Sequence, residues 1–436
     1  MRPSRPKAID LFAGAGGMSL GFEQAGFDIV AAVEYDPIHA ATHHYNFPET
    51  KIYAQSVSDL NGNKVLSDLG LSVGEIDLIF GGPPCQGFSL IGHRSIDDDR
   101  NKLVMDYVRL VADIRPKAFV FENVKGLTIG KQKKFLVELI EEFQNIGYHI
   151  RLPWQVLNAA DFGVPQDRER LFLLGAQDKD NLPDYPVADY GILDGQNLFS
   201  HPSRPTCEDA IGDLPDIDLF DELLHCDKVK ISTQSGTSPY ASEMKSLDDR
   251  GWHFGYRRTW DPSYLTSSAR TIHTPTSRHR FENTAPGTIE PISRFFKLHR
   301  KGICNTLRAG TDANRGAFTS PRPIHYKHAR CISVREMARL HSYPDWFRFH
   351  VTKWHGARQV GNSVPPRLAF NIGNQVIKAL KAPQIKPSRT LELGNESLLN
   401  LEMKSAANLF HVQPPFSGRT LKGTYRKPKQ VELVLA

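Results

Sequence analysis

Cys85 stands in Gly81-Gly82-Pro83-Pro84-Cys85-Gln86-Gly87-Phe88-Ser89, just after the apolar run 76–80. A cysteine is more commonly a small buried hydrophobe. At the carboxyl end of a buried strand, where doubly wound sheets bind ligands, a thiol is instead placed to act as a nucleophile. Pro83 and Pro84 stiffen the approach, while Gly81, Gly82 and Gly87 permit close backbone contact. The next apolar run ends in Phe121-Glu122-Asn123-Val124, which brings a second ionisable group to the same edge. A carboxyl group shielded there can hold or deliver a proton near neutral pH. In Gln166-Asp167-Arg168-Glu169-Arg170, the two-residue spacing sends Arg168 and Arg170 to one side of an extended chain. Such arginines either fix a phosphate and a base carbonyl, or form an ion-pair ladder with Asp167 and Glu169.

A second constellation points to a cofactor. Asp10-Leu11-Phe12-Ala13-Gly14-Ala15-Gly16-Gly17 leaves the first apolar run and opens a helical pattern. Glycines there let the backbone turn tightly and approach a ligand, or serve only to pack helix against strand. Glu34 ends the second apolar run, 20 residues after Gly14, where a carboxylate can accept two hydrogen bonds from ribose hydroxyls. The Gly-x-Gly-x-x-Gly pattern fails at Ser19. A pyrophosphate-binding nicotinamide site therefore fits less well than an S-adenosylmethionine site, which holds an amino-acid moiety near that turn.

Elements that would position these groups follow from periodicity. Residues 8–12, 29–33, 76–80, 118–121 and 171–174 read as buried strands, and 20–25, 37–46, 102–114 and 131–146 as helices. This alternation predicts an α/β fold, a doubly wound parallel sheet with helices on both faces. From 181 to 330 the pattern dissolves into text that reads as an irregular second domain or as a set of loops organised by a ligand. Helical periodicity returns at 334–341 and 367–380.

The net charge of +6 conceals a segregation. Residues 181–249 carry 4 basic and 14 acidic side chains, whereas 250–330 carry 15 and 4. The basic block contains Trp252, Tyr256, Trp260, Tyr264 and Phe281, a mixture suited to a polyanion; a solvated basic face is the alternative. No apolar run approaches the ~18–20 residues that span a bilayer, and the basic start lacks a signal-type apolar region. Five widely spaced cysteines with no Cys-x-x-Cys pair fit a reducing cytoplasm. The spacing of His201, Cys207, His225 and Cys226 is irregular for zinc, so no metal is expected.

The motifs above, in this order and followed by Gln359-Val360-Gly361-Asn362-Ser363-Val364-Pro365-Pro366, resemble a DNA cytosine-5 methyltransferase of the bacterial restriction–modification type. The resemblance covers 8–176 and 304–380. Arg335-Glu336-Met337-Ala338-Arg339-Leu340-His341-Ser342-Tyr343-Pro344 is similar to the family motif that supports the target-recognition domain. The resemblance implies an S-adenosylmethionine-dependent, Rossmann-like catalytic domain over 1–180 and a smaller irregular target-recognition domain over 181–330. Residues 331–380 would return to complete the cofactor pocket, leaving 381–436 as an extension of unknown role.

By the same resemblance Cys85 adds to cytosine C6 and Glu122 acts at N3, while Arg170 reaches cytosine O2 and Arg168 the flanking phosphate. S-adenosylmethionine would be held by Phe12, Gly14, Gly16, Gly17, Glu34, Tyr35, Ser56, Val57, Pro84, Asn362 and Ser363. Ser56 departs from the family, which usually has an acid there for the adenine amino group; backbone or Asp59 would then share that contact. Double-stranded DNA would be contacted by Gln86, Ser89, Arg257, Arg258, Arg278 and Arg280, with the target base flipped out under the loop 86–101. A member acting on tRNA would carry Cys-Phe-Thr, where the nearest string here is Ala317-Phe318-Thr319. The resemblance thus implies a monomeric, nucleoid-associated cytoplasmic enzyme, functionally paired with a cognate restriction endonuclease.

Overall fold

The computed structural model describes residues 4–84, 101–130, 132–191, 202–232, 238–310 and 321–415. Cys85, Gln86 and Ser89 lie outside the described residues. Five strands, β1 (Lys7–Leu11), β2 (Asp28–Val33), β3 (Lys51–Tyr53), β4 (Leu78–Gly81) and β5 (Ala118–Val124), lie parallel in the order β3-β2-β1-β4-β5. Their near-continuous apolar text is what burial on both faces requires. The order reverses between β1 and β4, which opens a crevice at the carboxyl ends of those two strands.

The expectation of a wholly parallel sheet fails at its last strand. Short strands β6 (His149–Ile150) and β7 (Gln155–Asn158) precede β8 (Glu169–Ala176), which runs antiparallel to β5, β6 and β7. The connection from β7 to β8 contains only a 3-10 turn, too short for a parallel crossover. The reversal decides where the chemistry sits. It brings the start of β8 to the carboxyl edge of β5, pairing Val124 with Arg170 and Glu122 with Phe172.

Helices α1 (Gly17–Ala25) and α2 (Pro37–Asn46) follow the first two strands. Helices α3 (Gly62–Leu69), α4 (Lys102–Ile114) and α5 (Gln132–Asn145) cover one face, closing a core that includes Ile9, Val111, Phe119 and Phe143. The other face is closed by α1 and a helix from far along the chain. Irregular text between them forms α6 (Cys207–Ile211), β9 (Val229–Lys230), α7 (Pro239–Lys245), β10 (Arg257–Thr259), β11 (Tyr264–Leu265) and α8 (Pro275–Asn283). Then come α9 (Val334–Leu340), α10 (Lys353–Asn362) and α11 (Pro366–Ala379), the helix that packs on α1. Close approach is possible because both helices carry a glycine at the contact. A Cβ on Gly21 would lie 2.3 Å from the Pro366 carbonyl oxygen, and one on Gly373 would lie 2.6 Å from Ala25 Cβ.

Two segments depart from the expected partition. Residues 252–259, assigned by sequence to the recognition domain, dock on α1 and α2. Arg5 donates to the carbonyls of Glu23, Phe27, Phe254 and Ile385, tying that segment to the start of β1 and to the stretch that follows α11. The extension after 380 is structured through 415: β12 (Thr390–Glu392) pairs with β10, and α12 (Met403–Leu409) packs on α2. Helix α9 anchors the irregular region, with Arg339 fully buried between Asp213 and Asp345. Among the described residues no helix is long and apolar enough to cross a membrane.

Candidate active site and cofactor cleft

A cleft of about 1160 Å³ occupies the crevice at the switch point. Phe12, Gly14, Gly17, Glu34, Tyr35, Ser56, Val57, Pro84, Asn362 and Ser363 all line it. Phe12 has φ +65, a costly conformation for a bulky side chain, which turns the chain sharply as it leaves β1. Beyond that turn the Gly14 N–H donates to Glu34 Oε2 at 2.7 Å, and the Asp36 N–H donates to Oε1 at 2.8 Å. Each carboxylate oxygen keeps a lone pair, so Glu34 is held rigid and can still accept hydroxyls. Burial raises its pKa, opposed by His39 and these N–H donors.

Gly16 is a correction, because it does not line the cleft. It caps α1 with φ +100, and a Cβ there would lie 2.5 Å from Phe47 Cε2. Its requirement is packing against Phe47 rather than ligand contact. Ser56 Oγ accepts the Ser58 N–H at 3.2 Å, so part of its capacity is spent on its own turn, and Asp59 lines the cleft beside it.

Glu122 and Arg170 meet across the antiparallel pair. They sit diagonally on one face, and Arg170 Nε donates to Glu122 Oε1 at 2.8 Å. A parallel β8 would have separated them by roughly 13 Å of strand. Glu122 is 9% exposed; burial raises its pKa, partly offset by Arg170 and Arg168. A Cβ on Gly82 would lie 2.3 Å from Glu122 Oε2. Asn123 Nδ2 donates to the Pro83 carbonyl at 3.2 Å. The chain leading to Cys85 is thereby pinned beside the Glu122 carboxylate.

Residues 6–378 match the family model described as C-5 cytosine-specific DNA methylase. The chain belongs to that family. Similar proteins include the Type II methyltransferase M.XorII of Xanthomonas oryzae pv. oryzae, 55% identical over 94% of this chain and 93% of that one. The Type II methyltransferase M1.HphI of Haemophilus parahaemolyticus is 33% identical over 85% of this chain and 86% of its own. A solved prophage-encoded E. coli protein, assigned to the DNA modification methyltransferases, is 31% identical with a TM-score of 0.68, covering 86% of this chain and 99% of its own.

Several arginines of the methylase lie elsewhere than expected. Arg168 is 1% exposed and does not face a DNA phosphate. Its guanidinium donates to the carbonyls of Leu307 (3.0 Å), Gly361 (3.0 Å) and Ser363 (2.7 Å). It is a clamp that joins the cofactor-cleft turn to the segment near 307. Arg258 has a fully buried side chain, paired with Glu23 at 2.8 Å and lying over the rings of Phe47 and Trp346. Arg257 is exposed on the same strand and pairs with Asp249. Strand β10 pairs with β12 and reaches α1 through Arg258, so the buried Arg258 has no free guanidinium for DNA, and neither arginine is among the residues that line the cleft. Arg278 and Arg280 sit on α8, partly exposed, near Asp218 (2.8 Å) and Glu290 (3.6 Å).

Two buried residues escaped sequence reasoning. Gln166 Oε1 accepts the Leu307 N–H at 3.1 Å, so its amide nitrogen faces His341 Nδ1 at 2.8 Å. His341 is then protonated on Nε2, which donates to the Ser363 carbonyl at 3.1 Å. Gln166 and His341 both belong to recognised motifs, but no spacing rule pairs them. Among the described residues no group of three His, Cys, Asp or Glu side chains is arranged to hold a metal ion.

Proposed function

We propose that this DNA cytosine-5 methyltransferase uses S-adenosylmethionine to methylate C5 of a flipped cytosine in a specific double-stranded DNA sequence, through a covalent bond from Cys85 to C6. The observation that carries this reading is the Glu122–Arg170 pair, which lines the same cleft as Glu34 and the Gly14 turn. The residues present fit the cofactor. Glu34 is a fixed acceptor for ribose hydroxyls, Tyr35 offers an exposed ring, and the Phe12–Gly14 turn leaves backbone near the amino-acid end. S-adenosylmethionine would supply an electrophilic methyl group.

Cytosine C5 is a poor nucleophile until electron density is pushed into the ring. The Cys85 thiolate would form a bond to C6 while Glu122 gives a proton or hydrogen bond at N3. Burial raises the Glu122 pKa, which favours the proton-bearing form relative to an exposed carboxylate. Arg170 would hold O2 while remaining beside Glu122. C5 would then take the methyl group with departure of the neutral thioether, the C5 proton would pass to solvent, and the electron pair it leaves would expel the Cys85 thiolate from C6 and restore the ring. Asn123 and Gly82 position the reacting groups through Pro83 and the Glu122 carboxylate. Flipping the base costs a few kcal/mol, which phosphate contacts from α8 and from Gln86 and Ser89 would offset.

The names of the similar Type II methyltransferases support a modification role; we infer that the enzyme works as a monomer in a bacterial cytoplasm, functionally beside a cognate endonuclease. Bisulfite sequencing of DNA from cells expressing the chain tests the activity and reads its target together. Protected cytosines within one short sequence are expected; uniform conversion would refute the assignment.

A further inference from the structure

We propose that the C-terminal extension supplies part of the cofactor site, with Pro415 packing against bound S-adenosylmethionine; this rests on reading the cleft as the site of that cofactor. The family match ends at 378, yet Pro415 lines the same cleft as Glu34, Asp36 and His39. The route to that position is built rather than incidental. Leu399 is fully buried, and its carbonyl accepts the Val351 N–H at 3.0 Å. His350 Nδ1 accepts the Thr352 N–H, so its Nε2 donates to the Leu401 carbonyl at 3.2 Å. Helix α12 then lies on α2 through Ala406 and Ala407, both fully buried and small enough for close approach.

The exit from α12 is also fixed. His411 takes a left-handed conformation (φ +56), its N–H donates to the Asn408 carbonyl at 3.2 Å, and the Val412 N–H donates to the Ala407 carbonyl at 3.0 Å. This two-bond cap ends α12 three residues before Pro415 reaches the cleft. Proline suits the position it reaches. Its ring is rigid and apolar and it has no N–H to leave unpaired against a ligand. Covering roughly 40 Å² of apolar surface corresponds to about a fivefold change in affinity.

The test is equilibrium binding of S-adenosylmethionine to the full chain and to chains ending at Val412 and at Phe416. Ending at Val412 should weaken binding about three- to tenfold, and ending at Phe416 should leave it unchanged, with equal cofactor-free melting temperatures. Equal affinity in all three, or equal weakening in both truncations, overturns the proposal. Should the Val412 chain melt early, Pro415→Gly in the full chain decides, with a similar weakening expected and wild-type affinity overturning it. If the full chain binds no cofactor, the reading of the cleft fails and this inference falls with it.

Discussion

Gly82→Ala is the sharpest probe of how the active site is assembled. Gly82 does not require a positive φ, so alanine is tolerated by the backbone, and the three nearest heavy atoms to the added Cβ all belong to Glu122. The contact with Oε2 would be 2.3 Å, so the carboxylate must retreat by about 1 Å to reach an ordinary separation. The retreat moves the end of a flexible side chain, so folding should lose less than about 1 kcal/mol. Catalysis should suffer far more, because a misplacement near 1 Å can cost on the order of 100-fold. Transfer of labelled methyl to DNA should show kcat down by about 10- to 100-fold, with the KM for S-adenosylmethionine nearly unchanged. In a double-mutant cycle with Glu122→Ala, the second substitution should add little to the first. A kcat within twofold of the parent, or full additivity in the cycle, would refute the idea that Gly82 acts by seating Glu122.

Other outcomes follow from the buried charges. Burial raises the Asp10 pKa to about 8, although its carboxylate accepts the Ser19 hydroxyl at 2.6 Å. The folded protein therefore holds a proton that the unfolded chain releases above about pH 4, and stability falls as pH rises from there to about 8. In urea unfolding, Asp10→Asn should lack that contribution to the slope; parallel pH profiles would contradict the shift. Arg168→Ala strands three carbonyls and should cost about 3 kcal/mol of stability. It should also weaken cofactor binding through the Ser363 turn, an effect absent if the clamp is only structural. For specific DNA, Arg278→Ala and Arg280→Ala should each reduce the salt slope by about 0.9, whereas Arg257→Ala should not. A reduction with Arg257→Ala would return β10 to the DNA interface.

Sequence reasoning recovered what each segment states locally. Strands β1, β2, β4, β5 and β8 were visible as apolar runs, whereas β3, β6 and β7 are too short to register. Gly14, Gly17 and Glu34 of the cleft lining were legible as glycines and an acid at strand ends, and the rest came only from the family resemblance. An apolar run carries no direction, however, so the reversal of β8 could not be read from 171–174. Spacing sent Arg168 and Arg170 to one side but could not say that carbonyls from 307, 361 and 363 would enclose only the first. Charge counts treat every arginine as solvated. The partner that buries Arg258 is Glu23, on a helix that a one-dimensional reading never brings near it. Gly16 looked like its neighbours, yet its constraint comes from Phe47, across α2.

The most direct test is trapping on duplex DNA containing 5-fluorocytosine at the target base, since fluorine cannot leave C5 as a proton does. With S-adenosylmethionine present, a denaturation-resistant protein–DNA complex should form. Mass spectrometry should place the pyrimidine on the peptide containing Cys85, and Cys85→Ser should give no complex while still binding DNA. Methylation at C5 without a trapped complex, or a pyrimidine attached to a different residue, would contradict a sulfur nucleophile at the carboxyl edge of β4.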